Sequence, residues 1–273
     1  MSERLDVRDV EVGSQRLRVA IRRPAEARGR PLLLCNGLGA SLESFDSLVR
    51  ALDGVETIAF DAPGVGGSPA PLVPYRFRGL ARLVDRMLDG LGYAEVDVLG
   101  MSWGGGLAQQ IAFQHPTRCR RLVLVASAAG ALMVPGRPAV LGKLLTPRRY
   151  VDASYRERIA AVVYGGDYRK HPELARAHVR AIREPSWVGY WYQLFATVGW
   201  SSLPWLPFLR QPTLVLHGTD DPLVPVVNAR ILAALIPGAE LQLLDCGHLL
   251  VLTRVPEVSA AILRFRGAAP NFR

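Results

Sequence analysis

Short, mostly apolar runs alternate with amphipathic helical patterns along most of the chain. Runs of this kind are typical of strands buried on both faces of a parallel sheet. They occupy residues 31–35, 55–60, 96–99, 122–125, 213–216 and 241–244. Two further runs, 5–12 and 17–21, surround Gly13 and predict an amino-terminal hairpin. The alternation predicts an α/β fold with a mostly parallel central sheet and helices on both faces.

One strand-to-helix junction carries a serine between glycines. Residues 99–106 read Leu-Gly-Met-Ser-Trp-Gly-Gly-Gly, with Ser102 between the apolar run 96–99 and a helical pattern at 107–113. A serine in such a turn, with glycine two residues before and two after, is the nucleophile-elbow pattern. Side chains at the glycine positions would collide in so tight a turn. Gly-x-Ser-x-Gly also occurs in ordinary loops. A nucleophilic role for Ser102 therefore has to be supported by partner residues elsewhere in the chain.

A histidine that follows the last apolar run is the candidate general base. His248 lies in Asp-Cys-Gly-His directly after 241–244, where a parallel sheet gathers its catalytic groups. The chain has five histidines, and His217, at the end of the run 213–216, is the main competitor. The order serine, acid, histidine is that of the α/β-hydrolases, and it favours His248.

Two adjacent aspartates are available to orient this histidine. Asp220 and Asp221 follow the run 213–216, and neighbouring loop residues point in different directions, so only one can serve. Similarity to hydrolase loops that have glycine, two residues and then aspartate favours Asp221, which leaves Asp220 as a loop or capping carboxylate. The run 122–125 is followed by Ala-Ser-Ala-Ala-Gly and offers no alternative acid.

Two backbone amides are candidates for stabilising a tetrahedral oxyanion. One is the amide of Trp103, directly after the candidate nucleophile, and the other is that of Leu38, between two glycines after the run 31–35. The glycines allow the backbone to approach a substrate oxygen closely. Many hydrolases of this fold have histidine where this chain has Asn36.

Composition limits the partners and the compartment. The 273 residues carry a net charge of +9, and residues 130–210 hold twelve basic and five acidic side chains. No nucleic-acid motif accompanies them, so we interpret them as a solvated basic face and predict no nucleic-acid partner. The three cysteines lack framework spacing, and we interpret them as reduced thiols. With no signal-peptide pattern and no apolar run of membrane-spanning length, we predict a cytoplasmic protein without a transmembrane segment.

No cofactor or metal is predicted. The glycine-rich turn at 64–67 lacks the Lys-Ser/Thr of a phosphate-binding loop, and no full dinucleotide fingerprint is present. The histidines, cysteines and acids also lack zinc spacing.

Residues 130–210 are too long for an ordinary connection between two strands. We predict that they form an inserted helical cap, or lid, and that 1–129 and 211–273 form the core domain. The cap is rich in aromatic residues, and either these residues form its own core or some of them line an apolar acyl pocket. As pocket residues the pattern predicts Trp187, Trp191 and Tyr192.

Motifs in both the core and the cap resemble those of one enzyme family. They include Phe60-Asp-Ala-Pro-Gly-Val-Gly-Gly-Ser68, Ser102-Trp-Gly-Gly, Met133-Val-Pro-Gly, Pro147-Arg-Arg-Tyr-Val151, Tyr164-Gly-Gly and Tyr192-Gln-Leu-Phe-Ala196. With them the chain resembles the intracellular poly(3-hydroxyalkanoate) depolymerases that act on medium-chain-length polyesters. The resemblance implies an α/β-hydrolase fold, a triad of Ser102, Asp221 and His248, and a polyester substrate in cytoplasmic granules. It also implies that Asn36 is normal for the group.

Several alternative functions share these residues. A general medium-chain carboxylesterase or lipase-like hydrolase differs only in its cap, and a 3-hydroxyacyl transacylase passes the acyl group to a thiol instead of water. A non-catalytic granule-binding module is disfavoured by the complete set of candidate catalytic residues. Polymer synthases would have cysteine, and dehalogenases or epoxide hydrolases aspartate, in place of Ser102.

Overall fold

The computed structural model describes residues 4–146, 148, 152–171, 173–176 and 186–267. Within them the chain forms one eight-stranded sheet. Its strands are β1 (Arg4–Val12), β2 (Gln15–Arg23), β3 (Leu32–Cys35), β4 (Thr57–Phe60), β5 (Val96–Met101), β6 (Cys119–Val125), β7 (Thr213–Gly218) and β8 (Glu240–Leu244). Their order across the sheet is β1-β2-β4-β3-β5-β6-β7-β8.

The sheet is antiparallel at one edge and parallel elsewhere. β1 and β2 form the predicted hairpin, from the pair Arg4 and Arg23 to the pair Val12 and Gln15, and β2 also runs antiparallel to β4. All the remaining pairs, from β4 and β3 to β7 and β8, are parallel. The predicted mostly parallel α/β sheet is confirmed. The carboxyl ends of β3, β5, β7 and β8 therefore lie along one edge.

Helices cover both faces of the sheet. They are α1 (Asp46–Ala51), α2 (Phe77–Gly90), α3 (Trp103–Gln114), α4 (Pro138–Leu145), α5 (Ala153–Tyr164), α6 (Asp167–Lys170), α7 (Trp187–Thr197), α8 (Val227–Leu235), α9 (Leu250–Thr253) and α10 (Val255–Gly267). Short 3-10 helices occupy Leu42–Phe45 and Leu203–Phe208. Helix α3 starts directly after the turn at Ser102, four residues before the helical pattern at 107–113. The pattern does not reveal this start, because the first turn of α3 contains three glycines and they carry no apolar periodicity.

Successive strand residues supply two different cores, because side chains alternate between the faces of a sheet. Val98 belongs to the cluster under α2, α3 and α8, and the next residue, Leu99, to the cluster under α1 and α10. Both side chains are fully buried. Because helices cover both faces of the sheet, the inner strands are mostly apolar in sequence.

The connection from β6 to β7 folds over the carboxyl edge of the sheet. A bridge between Gly130 and Ser201 joins its two ends. Its helices α4 and α5 form a separate apolar cluster with Leu223 and Val224, which follow β7. The final part, around Leu206 and Leu209, instead packs into the cluster under α2 and α3. Among the described residues, no helix combines the length and the apolar character needed to span a bilayer.

Candidate active site

Ser102 lies at the apex of a sharp turn between β5 and α3. Its φ of 53° and ψ of −117° are strained for a residue with a side chain. The flanking glycines are required by close contacts, since a Cβ on Gly100 would lie 2.3 Å from the carbonyl oxygen of Gly104. A Cβ on Gly104 would lie 2.1 Å from the oxygen of Cys35. The turn is anchored on β6, because the amide of Ser102 donates to the oxygen of Val125 at 2.8 Å.

Three predicted site residues from three strand ends form one hydrogen-bonded chain. His248 Nε2 lies 3.0 Å from Ser102 Oγ, and His248 Nδ1 lies 2.7 Å from Asp221 Oδ2. An ionised carboxylate can only accept, so Nδ1 carries the proton and Nε2 is free to accept from the serine hydroxyl. The histidine is only 2% exposed, which keeps water away from this chain of contacts. The arrangement can remove a proton from Ser102 as it attacks a carbonyl group.

The two neighbouring aspartates point to different partners. Asp221 Oδ1 accepts from the amides of Leu223 and Val224, both at 2.9 Å, so the carboxylate facing His248 is held by its own loop. Asp220 instead accepts from the amide of Gly166 at 2.9 Å and from Arg169 at 2.6 Å. Asp220 therefore ties the loop after β7 to the inserted segment.

The competing histidine lies behind the acid and not beside the serine. His217 Nε2 is 2.8 Å from the carbonyl oxygen of Val224, so it donates that hydrogen bond, and it lies 3.4 Å from Asp221 Oδ2. The side chain is completely buried, and this burial lowers the pKa of His217 although Asp221 opposes the effect. A neutral His217 adds no charge beside the acid.

The loop after β3 lies beside the serine. A Cβ on Gly37 would be 3.7 Å from the Cβ of Ser102. Leu38 and Trp103 both line the cavity into which Ser102 and His248 face. Trp103 is the first residue of α3, and the first amides of a helix have no partner within it. The two predicted oxyanion donors therefore belong to backbone segments on the cavity floor. Asn36 Oδ1 accepts from the amide of Gly37 at 2.9 Å, which braces this loop locally.

A cavity of about 700 Å³ lies between these groups and the inserted segment. Its walls are mostly apolar, and the insertion supplies many of them: Met133, Leu141, Leu144, Ile159, Val163, Leu194 and Trp200. Arg156 is the one lysine, arginine or acidic side chain among the described residues that line it. The volume and the apolar lining suit an acyl chain of several carbon atoms.

The predicted pocket aromatics Trp187, Trp191 and Tyr192 are not among the residues that line this cavity. Trp187 and Trp191 are 49% and 41% exposed, and Tyr192 packs edge-on against Tyr75. The reason is helical phase, which a count of aromatic residues does not reveal. The inward face of α7 carries Tyr190, Leu194 and Thr197, at spacings of four and three. Tyr150, another aromatic residue of the insertion, lies outside the described residues.

Sequence reasoning also missed two residues of the insertion that contact the catalytic loops. Gln193 Oε1 accepts from the amide of Gly39 at 2.7 Å, and the carbonyl oxygen of Tyr164 accepts from the amide of His248 at 2.7 Å. Both residues stood within quoted motifs without a role, Tyr164 in Tyr164-Gly-Gly and Gln193 in Tyr192-Gln-Leu-Phe-Ala196.

The cysteines take no part in this site. Cys35, Cys119 and Cys246 are free and buried. Burial raises the pKa of the Cys35 thiol, which suppresses the reactive thiolate.

Comparisons with known proteins agree with this geometry. The pattern of the alpha/beta hydrolase fold family matches residues 30–255. The poly(3-hydroxyalkanoate) depolymerase of Ectopseudomonas oleovorans is 52% identical over 259 residues, which cover 94% of this chain and 91% of that protein. The 2-hydroxymuconate semialdehyde hydrolase of Pseudomonas putida is 29% identical, with 82% of each chain covered.

A solved structure has the same architecture. The enol-lactonase of Burkholderia xenovorans LB400 superposes with a TM-score of 0.83 at 25% identity, covering 94% of this chain and 99% of that one. The family pattern spans most of the chain, which therefore has the alpha/beta hydrolase fold. The match with the depolymerase covers 94% of this chain, so it includes the inserted segment as well as the sheet. The chain belongs to the alpha/beta hydrolase fold family and, within it, to the family of the Ectopseudomonas poly(3-hydroxyalkanoate) depolymerase.

Proposed function

We propose that this protein is a serine hydrolase that cleaves the ester bonds of medium-chain-length poly(3-hydroxyalkanoate) through an acyl-enzyme and releases 3-hydroxy acids. The observation that carries the proposal is the Ser102–His248–Asp221 chain of contacts at the floor of an apolar cavity. The 52% identity with a protein named for depolymerising this polyester supports the substrate class.

In the first half of the reaction Ser102 is the nucleophile. Its Oγ attacks the ester carbonyl carbon while His248 Nε2 takes the hydroxyl proton, and Asp221 stabilises the resulting imidazolium. The backbone amides of Leu38 and Trp103 hold the oxyanion. The carbon–oxygen bond then breaks, and His248 returns the proton to the leaving oxygen, which is the 3-hydroxyl of the remaining polymer. The acyl group stays bound to Ser102.

In the second half water replaces the polymer alcohol. His248 accepts a proton from the water as its oxygen attacks the acyl-enzyme, and the same amides hold the second oxyanion. Collapse of this intermediate releases the 3-hydroxy acid and returns the proton to Ser102. No redox step is involved, so the protein side chains suffice for every proton transfer.

We also propose that residues 130–210 act as a cap that selects the acyl chain, above a core of residues 1–129 and 211–273. The apolar side chains that α4, α5 and α7 contribute to the cavity support this role. The packing of Leu206 and Leu209 in the core cluster supports a rigid anchor at the carboxyl end of the cap. We propose the cytoplasm, at polyester granules, as the site of action, on the resemblance to intracellular depolymerases.

The proposal is tested by turnover of two polyester particles. Particles of medium-chain-length and short-chain-length poly(3-hydroxyalkanoate) are offered to the same enzyme preparation, with soluble p-nitrophenyl esters of matching acyl lengths alongside. We expect release of 3-hydroxy acids from the medium-chain particles, and we expect the Ser102→Ala variant to release none.

The outcomes separate the alternatives. Equal or faster release from short-chain particles contradicts the proposed substrate. Turnover of soluble esters without either polymer favours a general medium-chain carboxylesterase. Faster acyl transfer to an added thiol than to water favours a transacylase.

A further inference from the structure

One buried residue of the inserted segment contacts the loop that carries the Leu38 amide and the side chain of Trp103, whose own amide is the second proposed oxyanion donor. Gln193, on α7, is only 1% exposed. Its side-chain Oε1 accepts from the amide of Gly39, the residue after Leu38, at 2.7 Å. Its main-chain oxygen accepts from the indole Nε1 of Trp103, also at 2.7 Å. One turn of α7 therefore contacts both the residue after Leu38 and the indole of Trp103.

The contact with Gly39 completes the bracing of a glycine-rich loop. The loop is held partly by its own bonds, from the amide of Gly37 to Asn36 Oδ1 at 2.9 Å and, across Leu38, from the amide of Ala40 to the oxygen of Gly37 at 3.2 Å. After Leu38, the amide of Gly39 is held by Gln193. Because the peptide unit is planar, the direction of the Leu38 amide depends on the conformation of the residues on both sides.

A second contact from α7 presses on the same loop. A Cβ on Gly39 would meet the ring of Tyr190 at 3.3 Å, so the tyrosine ring covers this position closely. The φ of Gly39 is +71°, in the left-handed region. Without the contacts from α7, only the bonds within the loop would restrain a residue of this conformational freedom, next to the point where the oxyanion must be met.

We propose that Gln193 is the positioning residue through which the inserted segment orders the oxyanion hole. Gln193 holds Gly39, next to the Leu38 amide, and the indole of Trp103, and without these contacts both segments lose that support. The inference rests on the proposed hydrolase function and deepens it. Under this proposal the helices of the insertion that line the cavity, α4, α5 and α7, form its roof, and the roof supports the oxyanion site as well as forming part of the acyl pocket.

The chain provides a matched control for this role. Asn228, on α8, is also 1% exposed and also joins the core to the insertion, since it exchanges two 2.9 Å hydrogen bonds with the backbone of Val134. Its side-chain hydrogen bonds are with the backbone of Val134 and Pro225, and within the described part of the chain none reaches the oxyanion loop. Loss of this amide removes a buried cross-link of the same kind without touching Gly39 or Trp103.

The experiment compares Gln193→Met with Asn228→Leu on a soluble ester, p-nitrophenyl octanoate. We expect Gln193→Met to lower kcat by about 10–100-fold with KM changed by less than about 3-fold, since loss of the contact to Gly39 misaligns the neighbouring Leu38 amide, which acts in the transition state. The bond from Trp103 Nε1 to the main-chain oxygen of residue 193 remains. Asn228→Leu is expected to change kcat by less than about 3-fold. Gln193→Glu retains an acceptor oxygen at the same position and should recover most of the lost kcat.

Binding of an oxyanion mimic gives a readout that a structural role would not affect. An alkyl trifluoromethyl ketone forms a tetrahedral oxyanion adduct with the catalytic serine, whereas the corresponding methyl ketone binds without a comparable adduct. We expect Gln193→Met to weaken the trifluoromethyl ketone by about the same factor as kcat and to leave the methyl ketone unchanged. Trp103→Phe removes the second contact, to the oxygen of Gln193, and should lower the same affinity ratio if Gln193→Met does not fold.

The inference is overturned if the affinity ratio of the two ketones is unchanged in the folded variants. It is equally overturned if Gln193→Met and Asn228→Leu lose kcat in parallel with their melting temperatures. Both measurements use soluble compounds. Failure of the wild-type protein on polyester particles would therefore contradict the proposed substrate without affecting this test.

Discussion

The floor and the roof of the cavity are held in place by different interactions. On the floor, Ser102, Asp221 and His248 each follow a parallel strand, and backbone hydrogen bonds fix the relative positions of those strands. The roof, formed by α4, α5 and α7, depends on apolar packing and on a few polar contacts to the loops below. We therefore assign the proposed chemistry to the region that strand hydrogen bonds hold, and the proposed selection of the acyl chain to the region that apolar packing mainly holds.

The two regions nevertheless meet at several catalytic loops. The oxygen of Tyr164 accepts from the amide of His248, Gly166 donates to Asp220, and Gln193 accepts from Gly39. Each contact joins a loop that follows a strand to a residue of the insertion. Substitutions of floor residues should therefore abolish the reaction, whereas substitutions of roof residues should alter its rate or its preference for a substrate.

Removal of the nucleophile is the largest expected effect and the strictest test of the floor. Ser102→Ala should lower kcat for p-nitrophenyl octanoate by about 10⁴–10⁶-fold, because no other hydroxyl occupies the apex of the turn. The circular dichroism spectrum and the melting temperature should remain close to those of the wild type. Near-full activity in this variant would contradict the proposed role of Ser102.

The adjacent aspartates give a matched pair. Asp221→Asn should lower kcat by about 10³–10⁴-fold, because an amide cannot hold His248 in the required tautomer or stabilise its charge. Asp220→Asn should change kcat by less than about 3-fold, since Asp220 contacts Gly166 and Arg169 instead of the histidine. Steady-state kinetics on the same ester measure both. A larger loss from Asp220→Asn than from Asp221→Asn would exchange their roles.

A substitution on the inward face of α7 should alter selectivity more than chemistry. Leu194→Phe adds volume to the cavity wall and should reduce kcat/KM for the octanoate ester relative to the butyrate ester by about 10-fold. Trp191→Phe, on the exposed side of the same helix, should leave that ratio unchanged. Unequal losses for the two esters in Trp191→Phe would indicate that the outer face also contacts soluble substrates.

The smallest expected effect concerns stability and pH. Burial lowers the pKa of His217 in the folded state, so the unfolded chain binds a proton first as the pH falls below its ordinary value of about 6.5. His217 should therefore reduce the free energy of unfolding on acidification, with a slope of at most about 1.4 kcal/mol per pH unit. Denaturant unfolding between pH 7.5 and 5.5 should show a shallower decline for His217→Gln than for the wild type. A steeper decline would contradict the neutral, buried histidine.

The floor of the site could be predicted because its signals are local. Gly100 and Gly104 accompany Ser102 at fixed spacing, and the turn tolerates no side chain at either position. The apolar runs mark the strands, and parallel strands bring their following loops to one edge. The choice between Asp220 and Asp221 required a resemblance as well, since neither composition nor spacing distinguishes two adjacent carboxylates.

The roof could not be predicted to the same depth because helical phase and tertiary packing decide it. Trp187 and Trp191 were attractive pocket residues by type, yet they lie on the exposed side of α7, while Tyr190 and Leu194 face inward. Gln193 stands within the motif Tyr192-Gln-Leu-Phe-Ala196, but its partners Gly39 and Trp103 are distant in sequence. No local pattern carries such a contact.

The sequence by itself therefore determined the α/β architecture, the strained serine turn and the order of the acid and base behind it. These features follow from hydrophobic periodicity and from steric limits within a few residues. Only the tertiary structure decided which face of α7 lines the cavity, and it brings Asp221, the aspartate that the resemblance favoured, to His248. It also decided how the roof supports the oxyanion loop, because those outcomes depend on segments that meet only after the chain has folded.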